Sequence, residues 1–125
     1  MWGMTGRGAK LRDDRRTGRM LHTGIARIAV RGPVEHAVLD ISGELDFSSV
    51  DDAREVVAEL PHRIVSIDVA GLEFIDGAGA RLIDQIRDAR EELHGERPAV
   101  IGQSAPVERT LRFVRARTAR APHLV

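Results

Sequence analysis

The sequence has no cysteine, a single lysine (Lys10) and few aromatic residues. Without cysteine, the chain can form no disulfide, thiolate metal site or thiol nucleophile. The scarcity of aromatic rings argues against stacking on single-stranded nucleic acid. No apolar run approaches the roughly 18 residues that a membrane span needs, and the basic N-terminus lacks the apolar stretch of a signal peptide. We therefore predict a cytoplasmic protein that neither inserts into a membrane nor binds nucleic acid.

The formal net charge of zero hides an uneven distribution along the chain. Residues 1–20 carry a net charge of +4, residues 21–106 carry −8, and residues 107–125 carry +4. A solvated, disordered arm is the simplest interpretation of residues 1–20, although a basic arm also suits nucleic acid or an acidic partner. We predict such an arm at 1–20 and one domain at 21–125. Because Met20 directly follows the polar tract, Met1, Met4 and Met20 are alternative translation starts.

The sequence patterns of common catalytic and nucleotide-binding loops are incomplete in this chain. The stretch "GAGARL" has Gly77 and Gly79 but puts Leu82 where the third small residue of a dinucleotide fingerprint belongs. P-loops and phosphoacceptor receiver domains both need a lysine near the site, and the only lysine is in the arm. No G-x-S-x-G occurs, and the five histidines lack metal-ligand spacing. The sequence predicts no enzymatic activity, catalytic residue, metal or cofactor.

Apolar periodicity predicts the first half of the domain. The alternating stretches "GIARIAVRG" and "AVLDISGEL" are strands that the turn "GPVEH" joins as a hairpin. The helix "VDDAREVVAEL" follows, with Ser48 or Ser49 as its N-cap and Pro61 at its end. Its predicted apolar face consists of Val50, Ala53, Val56, Val57 and Leu60. The next stretch, "RIVSIDVAGL", is apolar on both faces, which is typical of a central strand.

The second half changes to a helical period at Ala78. The predicted apolar stripe, which leaves Arg90 outside it, consists of Leu82, Ile83, Ile86, Ala89 and Leu93. Gly95 ends this helix, and the short strand "AVIG" follows. The stretch "SAPVERTLRFV" predicts a third helix with Ser104 as its N-cap, and "APHLV" either adds an edge strand or frays. The inward residues predicted for this helix are Val107, Leu111 and Val114. This order predicts a compact α/β domain with three main helices and a mixed, mostly parallel sheet of about four to five strands.

Two segments carry a family resemblance. The first is "LDISGELDFSS", which ends a strand in Gly-Glu-Leu-Asp before a helix, and the second is "IVSIDVAGLEFIDGAGARLI", a strand, a Leu-x-Phe-x-Asp turn and a helix. Together they resemble the STAS domain, the fold of bacterial anti-sigma-factor antagonists. The stretch "APVERTLRF" also resembles the third helix of this family. The resemblance covers about residues 25–114 and agrees with the order of elements derived above.

The resemblance implies a protein-binding switch. In such families the antagonist binds an anti-sigma factor, often a serine kinase, and thereby frees a sigma factor. The kinase inactivates the antagonist by phosphorylating a serine directly after the aspartate of the turn. A helix N-terminus suits this modification because its backbone N–H groups and dipole favour phosphate.

In this sequence the resemblance makes Asp76 the turn aspartate and puts Gly77 at the phosphoacceptor position. Glycine has no oxygen, so phosphorylation at this position is chemically impossible. Asp76 is equally consistent with an N-cap and with a partner contact. The partner-binding loop and helix that the resemblance implies comprise Asp46, Glu73, Asp76, Gly77, Ala78, Gly79, Arg81 and Asp84, with Arg87 further along the same helix.

Three functions remain open from the sequence. The first is an anti-sigma-factor antagonist-like regulator that docks to an anti-sigma factor and is not phosphorylated at Gly77. The second is a STAS module of another assembly, such as the cytoplasmic subunit of a transporter or a stress-signalling scaffold. The third is an unrelated enzyme.

Overall fold

The computed structural model describes residues 10–14, 18–22 and 26–120, with side chains from 26 to 117. This part of the chain contains seven strands and three helices, in the order β1-β2-β3-β4-α1-β5-β6-α2-β7-α3. The strands are β1 Lys10–Asp14, β2 Gly18–His22, β3 Ala26–Arg31, β4 Ala37–Leu45, β5 Ile64–Asp68, β6 Leu72–Ile75 and β7 Ala99–Ile101. The helices are α1 Val50–Glu59, α2 Gly77–His94 and α3 Ala105–Arg120. The predicted terminal segment "APHLV" lies outside the described residues.

The predicted α/β class and the mixed, mostly parallel sheet are confirmed. Strand β4 pairs antiparallel with β3 on one side and parallel with β5 and β6 on the other. Strand β5 pairs parallel with β7, so five strands, β3 to β7, form the sheet that the three helices cover. Strands β1 and β2 extend it at the β3 edge by antiparallel pairing. Strand β1 and the start of β2 fall within the stretch predicted as an arm, and the boundary at residue 20 stays a prediction.

Strand β6 was not predicted as a separate strand. The register of β4 with its parallel neighbours divides near its middle, where β5 pairs with residues 37–40 and β6 with residues 43–45. At the break, the Gly43 N–H donates to the Gly71 carbonyl at 3.0 Å. Strand β6 therefore continues along the edge of β4 that β5 has left, and its last residue, Ile75, pairs with Leu45. The ends of β4 and β6 therefore lie side by side, which brings the loops that follow them together.

The hydrophobic core lies on one face of the sheet. The alternate residues of β3 and β4 that point inward, such as Ile28 and Leu39, join one buried cluster with the apolar faces of all three helices. The predicted inward residues of α1 and α3 are confirmed, namely Val50, Ala53, Val56, Val57 and Leu60, and Val107, Leu111 and Val114. None of the helices in the described part of the chain has the length and hydrophobicity of a transmembrane segment.

The opposite face of the sheet is polar. Arg31 of β3 forms ion pairs there with Asp40 of β4 at 2.6 Å and with Asp68 of β5 at 3.0 Å. The hydrogen bonds that Arg31 donates to Asp40, followed by the negative charge of Asp40, raise the pKa of Arg31 above its ordinary value. Strand β5 lies between β4 and β7, as expected for a central strand. The helices cover only one of its two faces.

The predicted apolar stripe of α2 is wrong at three positions. Ala89, predicted within the stripe, is exposed. Leu93 is 67% exposed, whereas Arg90, predicted outside the stripe, is only 5% exposed. The Arg90 guanidinium donates to the carbonyl oxygens of Val57 at 2.6 Å, Leu60 at 3.2 Å and His62 at 2.7 Å. Burial lowers the pKa of Arg90, and its guanidinium group bonds to these three carbonyl oxygens. Arg90 thus satisfies backbone acceptors at the C-terminal end of α1, which helical periodicity alone cannot reveal.

The start of α2 packs directly against the end of β4. A Cβ atom added to Gly79 would lie 2.9 Å from Ile75 Cγ1 and closer still to the Leu45 carbonyl oxygen. The helix therefore approaches the strand so closely that only glycine fits. Gly79 is buried, so its role in the structure is packing.

We expect Arg90→Met to lower the free energy of unfolding by about 2–4 kcal/mol, because it leaves buried carbonyl groups without a donor. Urea denaturation followed by circular dichroism measures this change. Arg54→Met is the matched control, because Arg54 is an exposed arginine on α1 that pairs with Asp51, and we expect it to change stability by about 0–1 kcal/mol. Equal effects of the two substitutions would contradict the capping role of Arg90.

We expect Gly79→Ala to destabilise the fold by about 1–3 kcal/mol, because the added methyl group overlaps β4. The control is Gly77→Ala, two residues earlier, where an added Cβ meets only Arg81 Nη1 at 3.7 Å. That control should be neutral or slightly stabilising, since alanine restricts the unfolded chain more than glycine does. A thermal melt of both variants separates these outcomes, and an unchanged melting temperature for Gly79→Ala would refute the close packing.

Candidate partner-binding site

The Asp76 carboxylate joins the two loops at the ends of β4 and β6. Its Oδ1 atom accepts a hydrogen bond from the Gly79 N–H at 2.9 Å, and its Oδ2 atom accepts one from the Phe47 N–H at 3.0 Å. The Asp76 N–H in turn donates to the Leu45 carbonyl at 3.3 Å. Asp76 is therefore the N-cap of α2, and it also fixes the β4–α1 loop against that helix.

Asp46 organises the β4–α1 loop from the other side. Its Oδ1 atom accepts from the Ser48 N–H at 2.9 Å and from the Ser48 hydroxyl at 2.6 Å. Ser49 occupies the predicted N-cap position of α1 but makes no side-chain cap bond. Its hydroxyl lies within hydrogen-bond distance of the carbonyl oxygens of Glu44 and Asp46, at 3.2 and 3.3 Å. Asp46 and the two serines thus hold the loop in one conformation.

Gly77, at the acceptor position, is the first residue of α2 and is partly exposed. Its φ is outside the left-handed region, and a Cβ atom there has room apart from Arg81 Nη1 at 3.7 Å. Neither the backbone conformation nor the packing requires glycine at position 77. The two glycines of the turn therefore differ: Gly79 is required by close packing, and Gly77 leaves a side-chain position vacant.

The other predicted site residues divide between the surface and a helix contact. Glu73 on β6 and Arg81 on α2 are exposed, and Ala78 is partly buried. Asp84 instead lies between α2 and α3, with its Oδ1 atom 3.6 Å from Arg87 Nη1 and 3.5 Å from Arg115 Nε. The structure therefore gives Asp84 a role in holding the two helices together.

Arg87 is less available to a partner than its position on α2 suggests. Its side chain is only 18% exposed, and its Nε atom donates to the Pro98 carbonyl at 2.8 Å. Burial, followed by the charges of Arg97 and Arg115, lowers the pKa of Arg87. Arg87 therefore ties α2 to the segment before β7.

A groove between α2 and α3 was not predicted from the sequence. It has a volume of about 700 Å³ and opens beside Gly77. Its walls include Gly77, Arg81, Arg109, Phe113, Val114 and Arg117. The Arg117 guanidinium carbon lies 5.6 Å from the centre of the Phe113 ring. A sequence signal did exist, because residues 109, 113 and 117 are spaced four apart and therefore share one helix face.

All three phenylalanines of the chain are exposed, and each belongs to a segment next to Asp76 or to the groove. Phe47 is 77% exposed and bonds to Asp76 through its backbone; Phe74 is 50% exposed and lies two residues before Asp76. Phe113 is 61% exposed and shares the groove with Gly77. The described residues contain no cluster of three or more His, Asp or Glu side chains able to hold a metal ion. The arrangement offers apolar rings and guanidinium groups, which suit binding to another protein.

Comparison with known proteins agrees with this architecture. Residues 27–117 match the model of the STAS domain family. No curated protein sequence shows significant similarity to the chain. An anti-sigma-factor antagonist from Mycobacterium paratuberculosis has a similar structure, with a TM-score of 0.60 and 17% identity over 79% of this chain and 87% of that chain.

Two further solved structures are similar. The anti-sigma-factor antagonist SpoIIAA in its unphosphorylated form has a TM-score of 0.54 and 20% identity over 69% of this chain and 78% of its own. SLC26A9 has a TM-score of 0.53 and 13% identity over 73% of this chain but only 18% of its own. At these identities the likenesses establish a common fold. The family match extends over most of the chain, and the chain therefore belongs to the STAS domain family.

Proposed function

We propose that this protein is an anti-sigma-factor antagonist-like regulator that acts by docking to an anti-sigma factor. The docking surface comprises the β4–α1 loop, the end of β6 and the start of α2. It acts by binding rather than by catalysis. The observation that carries the proposal is the pair of exposed rings, Phe47 and Phe74, next to the turn that Asp76 fixes. The antagonist role itself comes from the STAS family motifs and from the antagonists with the same fold.

The structure of this surface suits protein binding for two reasons. Exposed aromatic rings are enriched at the centres of protein interfaces, where they bury large apolar areas. The hydrogen bonds of Asp76 and Asp46 hold the loop before any partner arrives. A preorganised loop loses less conformational entropy on binding, so more of the contact energy contributes to affinity.

The same proposal excludes switching by phosphate at position 77. Gly77 has no hydroxyl, and the nearby hydroxyl groups have structural roles. The Ser48 hydroxyl bonds to Asp46, and Ser49 is 1% exposed. Ser104 is farther along the chain, at the start of α3, where its hydroxyl accepts from the Val107 N–H at 3.4 Å. Without phosphorylation at position 77, the protein either binds its partner constitutively or is controlled through its abundance or through a second protein.

The second candidate is a STAS module of another assembly, such as a transporter subunit or a stress-signalling scaffold. The likeness to SLC26A9 supports it to the extent that this fold also occurs as a small part of a much longer chain. Affinity purification of the protein with its partners separates the two candidates. Recovery of an anti-sigma factor supports the first, and recovery of a membrane protein supports the second.

We expect Phe47→Ala to weaken binding to the anti-sigma factor by about tenfold or more, because truncating a central interface ring typically costs 1–2 kcal/mol or more. Isothermal titration calorimetry with the purified anti-sigma factor measures the affinity. The matched control is Leu93→Ala, which truncates another exposed apolar side chain, 67% exposed against 77% for Phe47, at the far end of α2. Its affinity should equal that of the unmodified protein. A similar loss of affinity in both variants would contradict the placement of the docking surface at the β4–α1 loop.

We expect the unmodified protein to incorporate no phosphate when it is incubated with an anti-sigma kinase and ATP. Gly77→Ser should gain phosphate, because position 77 has room for a side chain and the hydroxyl would lie at the start of α2. Mass spectrometry of the intact protein measures the incorporation, and Gly77→Ala is the control without a hydroxyl. Stoichiometric phosphate on the unmodified protein would show that another residue is the acceptor and would sink this part of the proposal.

A further inference from the structure

We propose that the α2–α3 groove binds an acidic segment of the protein partner, with carboxylate groups on Arg81, Arg109 and Arg117 and an apolar side chain against Phe113. This inference rests on the proposed docking function and deepens it, because it names the chemistry that the partner presents beside Gly77. The groove adjoins the docking surface at Gly77 and Arg81 and adds side chains of α3, which neither β6 nor the β4–α1 loop contributes.

The three arginines of the groove have no acidic partner in the described part of the chain. No ion pair or hydrogen bond joins Arg81, Arg109 or Arg117 to any described residue, although Arg117 lies over the Phe113 ring. Arg81 belongs to residues 21–106, which carry a net charge of −8, whereas Arg109 and Arg117 belong to residues 107–125, which carry +4. Three guanidinium groups left without carboxylates around one groove form a local positive site on an otherwise acidic domain.

Other arginines of the same helices show the contrast. Arg112 on α3 lies 3.2 Å from Glu108, and Arg115 lies 3.5 Å from Asp84 on α2. The carboxylates that α2 and α3 contribute nearby are therefore committed to arginines outside the groove. Charge complementarity thus favours an acidic occupant supplied by another molecule.

The apolar part of the groove decides which kind of acidic molecule fits. Phe113 and Val114 lie between the arginines, and Phe113 is 61% exposed. A peptide segment that alternates carboxylate and apolar side chains satisfies both features, because each arginine can receive a carboxylate while the ring buries an aliphatic chain. A nucleic acid offers phosphates for the arginines but no aliphatic side chain to bury against Phe113 and Val114. A protein segment therefore matches the groove better than a nucleic acid does.

Gly77 keeps the mouth of this groove open. A side chain at position 77 would start 3.7 Å from Arg81 Nη1, and it would extend into the groove. An acidic side chain there would give the arginines a carboxylate from the same molecule. The missing acceptor residue and the unpaired arginines are then two parts of one feature, a site left free for an anion from the partner.

The test is fluorescence anisotropy with the full chain and a labelled peptide of Glu-Glu-Leu repeats, with a Gln-Gln-Leu peptide as the uncharged counterpart. We expect the acidic peptide to bind and the uncharged one not to bind, with affinity falling as salt is added. Arg81→Gln, Arg109→Gln and Arg117→Gln should each weaken binding about threefold to tenfold, as expected for the loss of one charge-assisted contact. Gly77→Asp should weaken binding more than its isosteric counterpart Gly77→Asn, because only aspartate supplies a competing carboxylate.

The matched control is Arg112→Gln, which removes the same charge from the same helix. Arg112 is 73% exposed and does not line the groove, so its substitution should leave the affinity within about twofold. An equal loss for Arg112→Gln and Arg109→Gln would mean that net charge alone attracts the peptide, and it would overturn the proposal. Tighter binding of a single-stranded oligonucleotide than of the acidic peptide would overturn it too. So would a dimer, seen by analytical ultracentrifugation, that the arginine substitutions dissociate, because a second copy would then fill the groove.

Binding experiments with an anti-sigma factor distinguish failure of the groove proposal from failure of the proposed docking function. If an anti-sigma factor binds the unmodified protein and the triple variant Arg81→Gln/Arg109→Gln/Arg117→Gln equally, docking stands and the groove proposal falls. If no anti-sigma factor binds but the acidic peptide shows the predicted arginine pattern, the groove proposal stands and the proposed function falls. Circular dichroism of the triple variant checks that it folds, as expected for substitutions on exposed helix surfaces.

Discussion

The two hydrogen bonds of the Asp76 carboxylate are the constraint on which the functional surface depends. One oxygen binds the Gly79 N–H inside α2, and the other binds the Phe47 N–H in the β4–α1 loop. A single short side chain therefore sets where the helix starts and how the neighbouring loop lies against it. The constraint is possible only because β4 and β6 are parallel neighbours that end side by side, so that the two loops meet at one edge.

The two glycines after Asp76 divide structural and functional requirements between them. Gly79 lets α2 approach the end of β4, because any side chain there would overlap Leu45 and Ile75. Gly77 has no such neighbour, and its missing side chain leaves the groove beside Arg81 open. The turn can therefore keep the geometry of its family while lacking the hydroxyl on which a phosphate switch at this position depends.

Aliphatic and aromatic residues lie in different parts of the molecule. The core consists of aliphatic side chains from β3 to β6 and from the three helices, and it contains no aromatic ring from residues 26–117. The three phenylalanines lie at the surface, near the turn and in the groove. Burial of aliphatic groups is sufficient to stabilise a domain of this size, so the rings are free to serve recognition. The polar outer face of the sheet, with Arg31 between Asp40 and Asp68, has no comparable apolar feature among the described residues.

The sequence by itself determined the element order, the α/β class, the apolar faces of α1 and α3, and the absence of an acceptor at Gly77, because periodicity and residue chemistry are local properties. It did not separate β6 from the turn, since four residues are too few to show a period. It also misplaced Ala89, Arg90 and Leu93, because the acceptors of Arg90 come from α1 and the segment after it. Only the tertiary structure decided that Asp76 joins two loops and that Arg81, Arg109 and Arg117 line one groove, because these contacts link segments that lie far apart in the sequence.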